Sequence, residues 1–415
     1  MKKTLAAVAL LLLPALPGGA APLPSQSEDE ETMFQSASQL FRESTRDKIA
    51  SVEAFERYLR TYPDSLRGAD AQFLIGEAYL DKALKILYKE AEDKKTKSER
   101  LLAPKNVAAV QALEQAREAY AQVIKKYKKK SVGLKASAQY RMGEVAYNAK
   151  DWAGAIEDWR LVEKQYAKSY ILPEAWMGII YANLALEQFS QAEANLFLLG
   201  ETYPHYLKVP EVQYVQGIIS LHKGDYANAE QALKAVNTAE AQFYLGKSYL
   251  LSKRPYLAAA AFERLVKDYP DSVLREETEF FIGDSFFLAK DFDGAITKYE
   301  RFLAKYPESQ LRVSALFRIG SSHFQKKNYM EARAHFQSVI DRYPQDFFAP
   351  LAQYFIAESY LVGGQMREAL FAYTKVITQY PETIRISPLA HYKLAWAENQ
   401  VGDFAVSTTW ILFAW

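Results

Sequence analysis

The sequence predicts an all-α fold, a right-handed superhelix of stacked antiparallel helix pairs. Three observations carry this. The dipeptide Tyr-Pro recurs every 37 residues, at Tyr269-Pro270, Tyr306-Pro307, Tyr343-Pro344 and Tyr380-Pro381. A small residue stands twelve before each proline (Ala258, Ala295, Ala332, Ala369), and Gly or Ala stands twelve before that (Gly246, Gly283, Gly320, Ala357). Apolar residues then follow the second small position at four and seven, as in Tyr299 and Phe302, the spacing of one helix face. Self-similarity of this length marks a repeat array, whose units bury their apolar faces only against their neighbours.

Each element of the unit has its own signal. Gly or Ala inside helix A predicts close contact with a second helix. Polar turns follow at "KDF" (290–292), "KNY" (327–329) and "GQM" (364–366). Helix B starts there and ends at the proline, which cannot continue it. Asp, Ser or Glu after the proline, in "PDS" (270–272) and "PES" (307–309), is expected to cap the next helix. Running backwards, Pro204 pairs with Ala192, Gly143 with Ala155, and Pro63 with Ser51; Gly217 with Ala229 marks a short unit lacking the proline. The frame gives about nine repeats between residues 32 and 381, and a tenth that begins near Ser387 and stops inside its helix B.

The pattern resembles the tetratricopeptide repeat: Gly and Tyr/Phe in helix A ("LGKSY", 245–249; "IGDSF", 282–286), Ala opening helix B, Pro closing it. The "YPDS" variant is similar to periplasmic tetratricopeptide proteins of bacterial envelopes. Among these are the families of the barrel-assembly lipoprotein and of the Tol-Pal-associated cell-division coordinator. The resemblance implies a protein-binding scaffold in outer-membrane or envelope assembly and maintenance. A glycan- or solute-binding helical module, in polysaccharide export or peptidoglycan turnover, is the alternative.

The N-terminus reads as a secretory signal over residues 1–20. Lys2 and Lys3 precede a twelve-residue apolar run, Leu5 to Leu16, too short to span a bilayer. Gly18 and Ala20 supply small residues before a cut after Ala20. Residues 21–31, with the acidic run at 27–31, are expected to form a disordered lead. Cysteine is absent from the sequence, which removes disulfides, cysteine-ligated metals and a lipidation site. The expected product is periplasmic and not lipidated. The last residues, "VGDFAVSTTWILFAW", leave Trp410, Ile411, Phe413 and Trp415 without a following helix. A truncated frame is the expectation there, with a docking tail as the alternative.

No reaction centre is legible. His205, His222, His323, His335 and His391 are scattered, with no metal-binding spacing. There is no nucleophile elbow and no phosphate loop. His323 takes a position held by Tyr249, Phe286 and Tyr360 in sister repeats, which points to packing. Neither an enzyme nor a cofactor or metal is expected. The net charge of +1 gives no global attraction to nucleic acid.

Two features are candidates for partner binding. Three residues before the glycine position of helix A stand Phe73, Tyr140, Met177, Tyr214, Phe243, Phe280, Phe317, Tyr354 and Tyr392. One reading is a concave groove of rings that takes an extended peptide or a partner helix. The other is that the rings fill space between successive A helices. The second feature is a basic helical-hairpin insertion at about 81–112. Gly76 and Ala116 are 40 residues apart where sister units have 12. Residues 81–135 hold thirteen Lys and two Arg against seven carboxylates, a net of +8. Lys94, Lys95, Lys97, Lys125, Lys126, Lys128, Lys129 and Lys130 are its candidate contacts, to an acidic partner or an anionic membrane surface. A solvated protrusion is the alternative.

Overall fold

A computed structural model describes residues 28–44, 48–93, 104, 106–127, 132–383 and 386–401. Among them nineteen α-helices run in chain order, with no strand. The first nine are α1 Glu28–Glu43, α2 Ile49–Thr61, α3 Gly68–Asp93, α4 Val107–Lys126, α5 Val132–Asn148, α6 Trp152–Gln165, α7 Leu172–Ala185, α8 Phe189–Thr202 and α9 Pro210–His222. Then come α10 Tyr226–Lys234, α11 Ala239–Leu251, α12 Pro255–Asp268, α13 Arg275–Leu288, α14 Phe292–Lys305 and α15 Arg312–Gln325. The last four are α16 Tyr329–Arg342, α17 Phe348–Val362, α18 Met366–Gln379 and α19 Ser387–Val401. Odd-numbered helices are A helices and even-numbered ones are B helices. The fold is an all-α solenoid of antiparallel helix pairs.

The chain forms two compact units, Met1–Lys223 and Gly224–Trp415. The division falls beside the shortest helix, the nine-residue α10, in the repeat that lacks its proline. Within each unit a helix packs chiefly on the helices before and after it. A helices also touch the next A helix, as α11 touches α13 and α15 touches α17, while no consecutive pair of B helices packs comparably. The A side is therefore the inner side of each unit's curve.

The core is centred on one large side chain per helix B, Leu196 in α8, Leu233 in α10 and a ring in the others. Tyr120, Phe262, Tyr299, Phe336 and Tyr373 are essentially without exposure. Each sits under the small position of its helix A. A Cβ at Gly283 would lie 2.6 Å from the Tyr299 ring, so the ring would have to shift to admit one.

The turn between A and B is uniform. The residue seven after the glycine position has positive φ in each of seven repeats: Lys150, Glu187, Gly224, Lys253, Lys290, Lys327 and Gly364. This left-handed residue ends helix A, and its successor closes the turn, as Asp291 N donates to Phe286 O at 3.0 Å. Side-chain caps then open several B helices: Asp151, Asp225 and Asp291 accept from Gly154, Asn228 and Gly294. The caps expected after the prolines are not there. Ser272 and Ser309 accept instead from Leu274 N and Leu311 N, at 3.2 and 3.0 Å, which makes them turn residues rather than helix caps.

Two boundaries differ from expectation. Residues 28–31, assigned to a disordered lead, begin α1. Carboxylates suit a helix N-terminus, and these have partners: Glu31 holds Arg67 at 2.9 Å and Glu30 accepts from Tyr58 and Ser65. The insertion lengthens both helices, to 26 residues in α3 and 20 in α4. Its base is zipped shut by Leu80, Ala83, Ala109, Ala112 and Leu113, all buried, so the stretch free of core contacts is shorter than 81–112. The signal segment and the tail at 402–415 lie outside the described residues.

Candidate functional site

The ladder rings do not line a groove. Phe73, Tyr140, Tyr214, Phe243, Phe280, Phe317 and Tyr354 are buried, as is Met177. Phe73, Tyr140, Phe243, Phe280, Phe317 and Tyr354 pack on the ring of their own helix B. Phe280 meets Tyr299 with centroids 5.5 Å apart, Phe317 meets Phe336 at 5.2 Å, and Tyr354 meets Tyr373 at 5.9 Å. Phe73 and Phe243 repeat this with Tyr120 and Phe262. The position three before the glycine faces helix B, so these rings are core, and the reading of them as groove anchors is corrected. Tyr392 differs, at 61% exposed; the sequence that follows its helix lies outside the described residues.

The accessible side of helix A lies elsewhere. Positions two before, one after and five after the glycine are spaced i, i+3, i+7 and share a face. The residue two before the glycine meets the helix B ring of the preceding repeat. In the second unit two chemistries alternate there. Phe281 stacks on Phe262 with centroids 5.7 Å apart and 19° between planes. In the next repeat, Tyr299 Oη donates to Asp284 Oδ1 at 2.5 Å, and Arg318 Nε reaches the same oxygen at 3.1 Å. Then Phe355 stacks on Phe336 at 5.6 Å and 26°. Last, Tyr373 donates to Glu358, which Lys393 approaches at 3.4 Å.

The first unit uses the polar form once and adds a third. Tyr120 Oη donates to Glu77 Oε1 at 2.6 Å, and Arg141 bridges the buried carboxylates of Glu77 and Glu144. Burial pushes the Glu144 carboxyl above its ordinary value despite Arg141 beside it. Trp159, the larger ring, sits between two glycines, Gly143 of its own repeat and Gly178 of the next.

Five after the small position, at the end of helix A, Leu251, Leu288 and Val362 are each more than half exposed. With half-buried Phe281 and Phe355 they put apolar surface on the inner side of the second unit, between charged triads. These residues escaped the sequence reading. A signal for them was present: the position three before the glycine is almost uniformly aromatic, as a core position is. Its neighbour changes from Phe281 to Arg318 to Phe355 to Lys393, as a partly wet position can.

The basic set divides. Lys94, Lys95, Lys97, Lys128, Lys129 and Lys130 lie outside the described residues. Lys125 and Lys126 occupy the last turn of α4, where cations complement the helix dipole. At 1.5 Å per residue they stand about 27 Å from Val107, where the chain enters α4 from the insertion. Lys125 and Lys126 therefore stand at the end of α4 away from the insertion.

Among the described residues no group of three His, Asp or Glu side chains could hold a metal. His323 and His335 stack with centroids 5.2 Å apart and planes 9° apart, inside one helix pair.

Comparison with known proteins agrees with this geometry. Models described as tetratricopeptide repeat match residues 282–347, 240–272 and 351–383. Those stretches of the second unit are tetratricopeptide repeats. A model described as outer membrane lipoprotein matches residues 132–244, across repeats of the first unit and into α11. No curated protein sequence matches the chain. Similar solved structures include the C-terminal part of a tetratricopeptide repeat-containing protein from Cytophaga hutchinsonii, at 15% identity, covering 59% of this chain and 96% of that one, with a TM-score of 0.48. A tetratricopeptide repeat protein from Parabacteroides merdae has 10% identity, 61% and 97% coverage, and a TM-score of 0.44. MamA from Desulfovibrio magneticus has 18% identity, 43% and 93% coverage, and a TM-score of 0.35. Tetratricopeptide arrays are typically non-catalytic scaffolds for protein interaction.

Proposed function

We propose that this chain is a periplasmic scaffold in outer-membrane or envelope assembly and maintenance, and that it holds an extended segment of a partner protein along the A-helix face of its second unit. The observation that carries the envelope reading is the outer membrane lipoprotein match over residues 132–244. The export signal at residues 1–20 supports it. No described helix is long and apolar enough to cross a membrane. The sequence holds no cysteine for lipid attachment.

The A-helix face supports the second half. Leu251, Leu288 and Val362 are exposed apolar positions repeated at one place in the frame. Packed helices lie about 8–10 Å apart. An extended peptide rises about 3.3 Å per residue. Every third partner residue therefore meets a new A helix, where it finds a ring or an ion pair in turn.

The test is site-specific photo-crosslinking in the periplasm, with the crosslinker at Leu288 or Leu251 and a control at Phe371, which is exposed on helix B of the last pair. Discrete adducts from the A-face positions and none from the control are expected. Protein adducts absent at both A-face positions, with retention on a glycan resin, favour the glycan-binding alternative. N-terminal sequencing of the periplasmic form is expected to begin at Ala21.

A further inference from the structure

The B-helix side of the second unit carries a groove that the scaffold reading does not use. Its walls are α12 and α14, and α13 forms its floor. Val266 on α12 and Ile282 on α13 give it apolar surface. Five cations border it, Lys267, Arg275, Lys298, Arg301 and Lys305, against two carboxylates, Glu263 and Glu279.

Both carboxylates are already committed. Lys298 Nζ lies 2.8 Å from Glu263 Oε1. Glu279 takes Arg275 at 3.1 Å, Lys305, and the Tyr306 hydroxyl at 3.1 Å. Burial pushes the Glu279 carboxyl up, but the bonds from Lys305 and Arg275 outweigh it and hold it below its ordinary value. Lys267 and Arg301 are exposed, and no described carboxylate pairs with either. The groove thus has a surplus of positive charge around an apolar strip.

The next repeat keeps part of this charge, with Arg312 and Arg342 at the places of Arg275 and Lys305, but has Ala304 and Ser338 at those of the unpaired Lys267 and Arg301. Two repeats on, the groove between α16 and α18 keeps the apolar pair as Ile340 and Ile356. Asp341, Ala349, Ala372 and Gln379 stand there where this groove has Lys267, Arg275, Lys298 and Lys305, Lys375 keeps the cation of Arg301, and Gln337 and Gln353 replace the two carboxylates. Packing needs the apolar pair, and it recurs. Nothing in the packing needs five cations.

We propose that this groove binds an acidic peptide segment of a partner, carboxylates on the walls and an apolar side chain on the strip between Val266 and Ile282. A peptide fits better than a bilayer surface, because the apolar strip is recessed between two helices that a flat surface would span.

The probe is a labelled ten-residue peptide of alternating Glu and Leu, titrated into the full chain by fluorescence anisotropy, beside the same peptide with Gln for Glu. The acidic peptide is expected to bind, and to weaken at least tenfold between low salt and about 0.5 M salt, where screening acts over a few ångströms. The Gln peptide is expected to bind at least tenfold more weakly. Lys267→Glu with Arg301→Glu should cost at least tenfold with an unchanged melting temperature, since both side chains are exposed. Leu288→Glu on the A-helix face should leave this binding intact, which separates the groove from the scaffold reading. Equal binding of the two peptides overturns the proposal. So does a double variant with full affinity, or Lys267- and Arg301-dependent binding to phosphatidylglycerol vesicles without peptide binding.

Discussion

Asp284 and Arg318 belong to neighbouring repeats, and the carboxylate of one holds the guanidinium of the other at 3.1 Å under the Tyr299 hydroxyl. The same three-part contact recurs as Tyr120, Glu77 and Arg141, and as Tyr373, Glu358 and Lys393. Where the helix B ring is Phe262 or Phe336, a second ring replaces the cation and no carboxylate follows the glycine. Each junction is thus one chemistry throughout. A hydroxyl brought under helix A needs an acceptor, and a buried acceptor that is ionised needs a cation.

That coupling is measurable. Arg318→Phe alone leaves Asp284 buried without its cation, and should cost about 1–3 kcal/mol, less than a fully buried pair because Arg318 is partly exposed. The triple variant Tyr299→Phe, Asp284→Ser, Arg318→Phe copies the Phe336 junction and should recover most of the loss. Denaturant titration of the parent and the two variants decides it. A triple variant no better than the single would show the junctions are not interchangeable.

Gly283→Ala sets two effects in opposition. Alanine favours a helix interior by about 1 kcal/mol over glycine. A methyl group 2.6 Å from the Tyr299 ring forces a shift of a fully packed core, at about 1–3 kcal/mol. Overpacking should win, with a net loss of stability; a higher melting temperature than the parent would refute this.

Lys290 tests the turn. Its φ of 63° is a conformation that costs a side-chain-bearing residue about 1 kcal/mol. Gly224 and Gly364 occupy the same place in sister repeats. Lys290→Gly should therefore stabilise the second unit by up to about 1 kcal/mol, read as a higher denaturant midpoint at unchanged slope.

Phe317→Ala measures what the ladder does. The ring is buried against Phe336, Phe348 and Phe355. Its loss should cost about 3–5 kcal/mol of stability, while crosslinking at Leu251 persists wherever the fold does. Loss of that crosslink in a fully folded variant would restore the ring to the binding face.

His335 should make stability depend on pH. Burial first, then His323 beside it, push its pKa below the ordinary value, against the pull of Glu300. The unfolded state then takes up a proton more readily than the folded one. Stability is full above the unfolded pKa, about 6.5, and falls as pH drops below it until the folded pKa is passed. His335→Gln should flatten that slope below about pH 6.5. An unchanged slope in melting temperature against pH would place the titration elsewhere.

The sequence by itself determined the fold class. A 37-residue period with Gly283 twelve before Ala295 and twenty-four before Pro307 can be satisfied only by helices that touch at the glycine, turn and stop, so periodicity dictates pairs and their order. It did not determine which way each face looks. Phe317 and Arg318 are adjacent in the chain, about 100° apart on helix A. One is core against its own helix B, and the other reaches across to the previous repeat. Both recur with the same period, so the period could not rank them. Tertiary structure alone decided it, because burial depends on how far helix B leans under helix A, and the Tyr299 or Phe336 ring sets that lean by filling the space that glycine leaves.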